Sequence, residues 1–271
     1  MTDVHATDDP AQVLAHAGHF LLSRPVEHNI ILTLLHQRVE ASEPGHYWWI
    51  TDEDSVVGVG FQSPVTFSAA VTPMAREHVD ALVAAIDVAL PGIIAEAATA
   101  AAFAGSWAQR HRSVARPVEG QRLYRLAGFR AVVGAAGRLR RIEAAERRML
   151  EAWIEGFTAE TAGAAEPASV TARRYLVDES AWIWDDDGPA CLTRVSPVVG
   201  GVARLGPVFT PPERRGCGYA TACVGRLSQT IEQDGNTAIL YTQLENPTSN
   251  AIYRRIGYRP VLEVLSYGFS P

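Results

Sequence analysis

The most informative part of the sequence is the run Val208-Phe209-Thr210-Pro211-Pro212-Glu213-Arg214-Arg215-Gly216-Cys217-Gly218-Tyr219-Ala220. It begins as a strand, passes through a tight turn of small residues and continues as a helix. At such a junction several backbone N–H groups lack a helical partner, and the helix dipole adds partial positive charge. Glycines let a phosphate group approach the main chain closely. The run therefore predicts a cradle for an anion, to which Arg214 and Arg215 add charge-assisted contacts.

A second motif follows this run, and the two together are more specific than either alone. A glycine-rich turn by itself is weak evidence and is also typical of a plain strand–helix connection. Thirty-one residues after Arg215 comes Asn246, with Tyr253 seven residues further on and Gly257-Tyr258 after it. The pattern Arg215-x-x-Gly218-x-Ala220 resembles the R/Q-x-x-G-x-G/A signature of the GNAT superfamily of acyl-CoA N-acyltransferases, and the second motif is similar to that superfamily's Asn–Tyr–Gly signature. The resemblance covers roughly residue 138 to the C-terminus.

The resemblance implies acetyl-CoA as cosubstrate and an amine as acceptor. In this superfamily the strand at 208–210 splays from its neighbour, commonly at a bulge, and pairs with the pantetheine arm. The N–H near Val208 would polarise the thioester carbonyl, and the Tyr253 hydroxyl would protonate the departing sulfur as general acid. The resemblance assigns cofactor binding to Val208, Phe209, Thr210, Arg214, Arg215, Gly216, Cys217, Gly218, Tyr219, Ala220, Asn246 and Ser249. Neither a metal nor a covalent acyl-enzyme is required.

The general base is left open by the sequence. An amine with a pKa near 10 is mostly protonated at pH 7 and must lose a proton before it attacks. Glu245 precedes Asn246 and is the first candidate. The alternatives are Glu213, Glu179, the terminal carboxylate of Pro271, and a base that acts through water.

The apolar pattern predicts an α/β (α+β) fold in which helices pack on a sheet with adjacent hairpins. The resemblance implies two GNAT-like lobes, each with a mixed, mostly antiparallel twisted sheet flanked by helices. In the second half, strands are predicted at 181–185, 190–195, 202–210, 238–244 and 261–269, and helices at 142–157, 220–231 and 249–256. In the first half, strands are predicted at 56–61, 64–69, 92–96 and 121–126, and helices at 79–90 and through Phe103 to Trp107.

An internal duplication is predicted from one shared spacing. Glu96 and Phe103 are seven residues apart, as are Asn246 and Tyr253, and each pair lies between a predicted strand and a closing strand. The chain is therefore expected to contain a degenerate GNAT-like domain at 1–137 and a catalytic domain at 138–271. The boundary is placed in the Gly/Ala-rich stretch 131–138.

The composition and net charge limit the classes of binding partner that are expected. The chain has 271 residues, 47% of them hydrophobic, and a formal net charge of −6, which argues against a general nucleic-acid binder. All 24 basic residues are arginine, so no lysine is available as a Schiff-base nucleophile. No signal peptide or membrane-spanning run is recognisable, and a cytoplasmic protein without a membrane partner is expected. A homodimer is compatible with the sequence.

Two functions from different classes remain open. The first is an acetyl-CoA-dependent N-acetyltransferase with direct transfer to a primary amine. The second is a non-catalytic module that binds or senses acyl-CoA. Tyr253 favours the first, because binding alone does not require an acid at the sulfur. The identity of the acceptor is not specified by the sequence.

Overall fold

Each half of the chain runs through the same order of elements, strand, two helices, three strands, helix, strand, helix, strand. The computed structural model describes residues 2–41, 45–132, 135–161 and 166–271. Contacts divide the chain into two units, Met1–Arg122 together with Leu262–Pro271, and Leu123–Val261. Of the predicted boundary stretch 131–138, residues 133 and 134 lie outside the described part.

The first run of elements comprises β1 (Thr2–Thr7), α1 (Pro10–Ser23), α2 (Asn29–Ala41), β2 (His46–Asp52), β3 (Ser55–Gln62), β4 (Ala69–Val71), α3 (Arg76–Ala85), β5 (Gly92–Glu96), α4 (Ala97–His111) and β6 (Val114–Leu126). The second comprises β7 (Arg138–Arg141), α5 (Arg147–Ala159), α6 (Ala168–Val177), β8 (Ala181–Asp185), β9 (Pro189–Val195), β10 (Val202–Phe209), α7 (Tyr219–Gln233), β11 (Thr237–Gln243), α8 (Pro247–Ile256) and β12 (Tyr258–Ser270). Short 3₁₀ turns, Ala144–Glu146 and Pro212–Arg214, precede α5 and α7.

The sheet of each unit is mixed. In the first unit the strand order is β1-β2-β3-β4-β5-β12, where β4 and β5 are parallel and β12 pairs antiparallel with β5. In the second unit the order is β11-β10-β9-β8-β7, with β10 and β11 parallel and the other pairs antiparallel. This confirms the predicted fold class of two lobes with mostly antiparallel sheets.

The core of the second unit has two layers, one on each face of its sheet. On one face α7 packs on inward residues of β10 and β11, among them Ala203, Leu205 and Leu240. On the other face α5 and α6 pack on β8 and β9, where Leu150 and Ile183 are fully buried. In the first unit α3 and α4 pack on β2, β4 and β5 around Phe103. No helix within the described ranges is long and apolar enough to cross a membrane.

Most predicted elements agree with the structure. In the second half the helix predicted at 142–157 begins later, at Arg147, because the 3₁₀ turn Ala144–Glu146 precedes it, and larger differences lie in the first half. The strands at 92–96 and 181–185 have the predicted bounds. The strand predicted at 64–69 is wrong for most of its length, because β4 begins only at Ala69. The Gln62 side chain donates to the carbonyls of Val65 and Phe67, and the Phe67 N–H donates to the Pro64 carbonyl, so these residues form a turn. The predicted helix 79–90 ends early, at Ala85, although Ile86 and Leu90 remain in the core.

A largely buried arginine, Arg140, links three elements of the second unit. The Arg140 guanidinium on β7 donates to Asp185 at 2.7 Å and to both carboxylate oxygens of Glu146 at 2.7 and 2.8 Å. Its hydrogen bonds lower the pKa values of Glu146 and Asp185 below their ordinary values. A carboxyl with a depressed folded-state pKa contributes stability above its unfolded pKa, and that contribution is lost as the pH falls through the folded value.

We therefore expect Arg140→Gln to lower the free energy of unfolding by about 2 kcal/mol at pH 7, and by clearly less below about pH 4. Urea unfolding at several pH values measures this. Arg147→Gln is the matched control, since its pair with Glu151 is a half-exposed i,i+4 contact worth about 0.3–0.5 kcal/mol. An equal loss for Arg140→Gln at pH 7 and pH 3 would show that the ion pairs do not supply the effect.

Candidate functional site

Strands β10 and β11 run side by side for only part of their length. Their parallel pairing extends from Val202 opposite Thr237 to Leu205 opposite Leu240. On its other edge β10 pairs with β9, and the register shifts between Leu205 and Val208. A shift of this kind is a bulge, which bends the strand. The last residues of β10 therefore present a main-chain edge that β11 does not cover, as the resemblance led us to expect.

The turn after β10 leaves backbone amides without helical partners. Gly216 and Gly218 have φ values of +81° and +83°, in the left-handed region that favours glycine. Gly218 is the N-cap of α7 and no side chain caps it. The Ala222 N–H donates to the Gly218 carbonyl at 3.0 Å, so the amides of the first turn before it are outside the helical ladder. We call residues 214–220 the cradle.

The cradle and the open edge of β10 line a single cavity of about 730 Å³. The described residues that line it are Glu160, Val208, Phe209, Thr210, Arg214, Arg215, Gly216, Gly218, Tyr219, Ala220, Thr221, Asn246, Thr248, Ser249, Ala251, Ile252, Tyr253 and Arg255. The cavity thus joins the amide-rich start of α7 to one face of α8. Its positive end and its partly apolar wall suit an elongated ligand with an anionic group.

Tyr253 lies on α8 and lines this cavity. Its side chain packs in the core with Tyr124 and Tyr258, and the residue is 7% exposed. Burial raises the pKa of Tyr253 above its ordinary value, the Cys191 thiol adds to the rise, and a hydrogen bond with Ser249 opposes it. The phenol therefore stays protonated at neutral pH and is able to donate a hydrogen bond.

Asn246 fixes the start of α8. Its Oδ1 accepts from the Ser249 N–H at 2.9 Å, and its carbonyl accepts from the Asn250 side chain at 2.7 Å. An N-cap of this kind stabilises a helix by about 1 kcal/mol. Because Oδ1 is used in the cap and Asn246 lines the cavity, the side-chain NH₂ is the Asn246 group with which a ligand would hydrogen-bond.

Comparison with known proteins finds similarity in both sequence and fold. The FR47-like protein family matches residues 197–265, which hold both motifs. An acetyltransferase of the GNAT family from Colwellia psychrerythraea has a similar structure, with a TM-score of 0.63 and 9% identity over 99% of this chain and 100% of that one. This chain has the two-lobe GNAT fold.

Further structures share the GNAT fold over nearly the whole chain. A GCN5-related N-acetyltransferase from Sphaerobacter thermophilus has a TM-score of 0.61 and 13% identity over 98% of this chain and 94% of that one. A tandem GNAT protein from the clavulanic acid biosynthesis pathway has a TM-score of 0.59 and 13% identity over 100% and 98%. No curated protein matches the sequence significantly.

The predicted site residues come together in the cavity, with two exceptions. Cys217 and Glu245 are not among the described residues that line it. Both are exposed, and the Cys217 thiol lies 3.7 Å from the Arg215 carbonyl. The other candidate bases Glu179 and Glu213 are also exposed.

Arg215 is engaged by the protein itself. Its Nε donates to the Thr210 carbonyl at 2.9 Å, and its Nη2 lies 2.6 Å from Glu160 Oε1. Both side chains of this ion pair are about half exposed. Glu160 had no signal in the sequence, because it is remote in sequence from the cradle and ends a different helix. Arg214 makes no ion pair with a residue in the described ranges.

We expect Glu160→Gln to tighten coenzyme A binding by about 2- to 5-fold at low salt, since it removes a negative charge beside the anion cradle. The gain should shrink at high ionic strength, because exposed charges are screened. Calorimetric titration at two salt concentrations measures this, with Glu155→Gln on the same helix as control. Weaker binding by Glu160→Gln would mean that the ion pair instead holds Arg215 in place for the ligand.

Further residues line the cavity that were not predicted from the sequence, and helical geometry explains their positions. Thr248, Ala251, Ile252 and Arg255 recur at three- and four-residue steps on α8, so they share one face of that helix. Thr221 continues the first turn of α7. The helical spacing around Tyr253 is the signal from which the α8 face was predictable.

The first unit has no matching cradle ahead of α3. The residue before this helix is Ala75, not glycine, and the preceding Met74 N–H donates to Thr99 at 3.3 Å. Glu96 caps α4 through bonds from Ala98 and Thr99 N–H groups, as Asn246 caps α8. Phe103 then occupies the position that corresponds to Tyr253 and is fully buried. The first unit thus keeps the helix cap but not the hydroxyl.

Proposed function

We propose that this protein is an N-acetyltransferase that moves an acetyl group from acetyl-CoA directly to a primary amine. The observation that carries the proposal is one cavity lined together by the uncapped start of α7, by the last residues of β10 that β11 does not pair, and by the buried, neutral Tyr253. The fold shared with GNAT acetyltransferases supports the same activity. We assign catalysis to the domain proposed at 138–271.

The residues present fit acetyl-CoA at each end of the ligand. The backbone amides at 216–220 and the Arg214 side chain suit a diphosphate, whereas the Arg214 and Arg215 amides already donate to the Pro211 and Pro212 carbonyls. A Cβ added at Gly216 would meet no atom within 4 Å, so space is open in front of this backbone. The main-chain edge of β10 at 208–210 and the Asn246 side chain suit the amides of a pantetheine arm. When bound, acetyl-CoA supplies an activated acyl group whose transfer to an amine releases a thiol.

The protein's own groups are proposed to position the amine, polarise the thioester carbonyl and protonate the leaving sulfur. The backbone N–H near Val208 is proposed to donate to the thioester carbonyl, where negative charge develops. Tyr253, kept neutral by its buried site, donates its proton to the leaving sulfur. Holding the amine against the thioester removes much of the entropic barrier.

Proton removal from the amine needs a base, and its assignment rests on the sequence position of Glu245. Glu160 is the one carboxylate among the described residues lining the cavity, and its ion pair with Arg215 occupies it. Glu245 lies one residue before Asn246 and is the proposed base.

The test is thiol release from acetyl-CoA across a panel of primary amines, with the acetylated product identified by mass spectrometry. The proposal requires amine-dependent thiol release and a product heavier by one acetyl group. Tight coenzyme A binding without turnover on any amine would instead establish the non-catalytic binding module.

A further inference from the structure

The cradle is tied to the rest of the second unit by a side chain on each side of its glycines. Before them, the Arg215 Nε donates to the Thr210 carbonyl at 2.9 Å. After them, the Tyr219 hydroxyl donates to Asp186 Oδ2 at 2.7 Å. Two of the three residues at 216–218 are glycines, which have no side chain that could hold the loop in one shape. The position of the cradle amides therefore depends on these two ties.

The Tyr219 side chain extends from the start of α7 to the turn between β8 and β9. Tyr219 is the first residue of α7, and it is 7% exposed within the core of the second unit. At neutral pH a carboxylate only accepts hydrogen bonds, so the tyrosine hydroxyl is the donor to Asp186. The same hydrogen bond raises the pKa of Tyr219 above its ordinary value. Because no side chain in the described ranges caps Gly218, the bond to Asp186 helps to fix this helix start.

The turn that carries Asp186 is itself well ordered by hydrogen bonds. The Asp186 N–H donates to the Gly188 carbonyl at 2.9 Å, and the Gly188 N–H donates to Asp185 Oδ1 at 3.3 Å. Asp185 also accepts from the Arg140 guanidinium at 2.7 Å. The Asp186 carboxylate is thus presented to Tyr219 from a fixed point at the end of the sheet.

The charge of Asp186 works against an anion site. A carboxylate this close to the cradle repels a diphosphate. As a hydrogen-bond acceptor, however, the same carboxylate restrains the loop, and a binding loop that is ordered beforehand loses less conformational entropy when the ligand binds. The two effects have opposite signs, and a neutral amide at position 186 would keep the acceptor while removing the charge.

We propose that Asp186 is a positioning residue for coenzyme A. By accepting the hydrogen bond of the Tyr219 hydroxyl, it holds the backbone amides at 216–220 in the orientation that a diphosphate requires. Asp186 is not among the described residues that line the cavity, so it acts through Tyr219 and not by contact with the ligand. This role rests on the proposed function, because it presumes that the cradle binds coenzyme A.

The first measurement is a calorimetric titration of coenzyme A into single variants. Asp186→Ala and Tyr219→Phe should each weaken binding by about 5- to 20-fold, part of the effect of one charge-assisted hydrogen bond. With an amine that the enzyme accepts, the KM for acetyl-CoA should rise by a similar factor. The kcat and the KM for the amine should stay within about 2-fold, since no group at the reacting atoms is changed.

The conservative variant separates the acceptor from the charge. Asp186→Asn keeps an oxygen that accepts from Tyr219, so it should bind coenzyme A as tightly as the wild type or, at low salt, up to about 3-fold more tightly. The double variant Asp186→Ala/Tyr219→Phe should lose no more affinity than the weaker-binding single variant, because both changes remove the same hydrogen bond.

Tyr258→Phe is the control for a general loss of stability. It removes a buried hydroxyl that lies 2.7 Å from the Ser228 hydroxyl in the same core, and Tyr258 does not line the cavity. Its coenzyme A affinity should therefore stay within about 2-fold of the wild type. Urea unfolding of every variant shows that the chains compared are folded under the conditions of the titration.

The outcomes separate this role from the proposed function. Wild-type affinity in Asp186→Ala would overturn the positioning role and leave the acetyltransferase standing. An Asp186→Asn variant as weak as Asp186→Ala would also overturn it, as would equal losses in Tyr258→Phe and Tyr219→Phe. Failure of the wild-type chain to bind coenzyme A would overturn the proposed function and the role of Asp186 with it.

Discussion

Replacing Tyr253 with Phe should lower kcat by about 10²- to 10⁴-fold, the contribution of a positioned general acid. Coenzyme A affinity should stay within about 3-fold, because the ring remains in the core among Tyr124 and Tyr258 and only a hydroxyl is lost. The loss in kcat is expected because negative charge develops on the leaving sulfur in a poorly solvated pocket, and Tyr253 is the proton donor proposed for it. Steady-state kinetics with a calorimetric titration of coenzyme A measures both quantities.

Tyr258→Phe is the matched control for that variant. Its hydroxyl lies 2.7 Å from the Ser228 hydroxyl in the same core, 6.1 Å between ring centres from Tyr253, and it does not line the cavity. This change should cost about 1 kcal/mol of stability and leave kcat intact. If Tyr253→Phe and Tyr258→Phe turned over equally fast, the acid role of Tyr253 would be wrong.

The second large effect is expected at the cradle. Gly218→Val should weaken coenzyme A binding by about 30-fold or more, because a branched side chain at positive φ strains the loop and occupies the space before the amides. The wild-type position is open, with only Ala135 Cβ at 4.0 Å from an added Cβ. Calorimetric titration of coenzyme A gives the ratio of dissociation constants.

Gly235→Val is the control that separates the effect of backbone strain in Gly218→Val from the effect of lost contact with the ligand. Gly235 follows the end of α7 with a φ of +78°, and an added Cβ there also meets no atom within 4 Å. Its backbone strain matches that of Gly218→Val, but it lies outside the cavity. Comparable losses of coenzyme A affinity in both variants would show that the amides of the cradle are not the binding site.

Much of the second unit could be predicted from the sequence, because its signals are local. The run at 208–220 combines a strand, two glycines and a helix start within one continuous segment. Residues so close in sequence stay close together in the structure. The seven-residue step from Asn246 to Tyr253 likewise stays on one helix, so cap and hydroxyl keep their relation.

What the sequence did not reveal depends on contacts distant along the chain. Glu160 meets Arg215 only because α5 ends near the cradle, and Arg194 meets Tyr175 only because α6 crosses β9. Nothing local in the sequence indicates that the last residues of β12 belong with the first unit, where they pair with β5. The prediction of a strand at 64–69 is wrong because the turn at 64–67 is stabilised by hydrogen bonds from the Gln62 side chain. The spacing of apolar residues carries no information about such bonds.

The most direct test is a crystal structure of the protein with coenzyme A at saturating concentration. We expect the diphosphate oxygens within hydrogen-bond distance of main-chain amides at 216–220, the pantetheine along the open edge of β10, and the thiol next to the Tyr253 hydroxyl. Coenzyme A bound away from these amides, or no bound ligand at a concentration that saturates other members of the fold, would contradict the account.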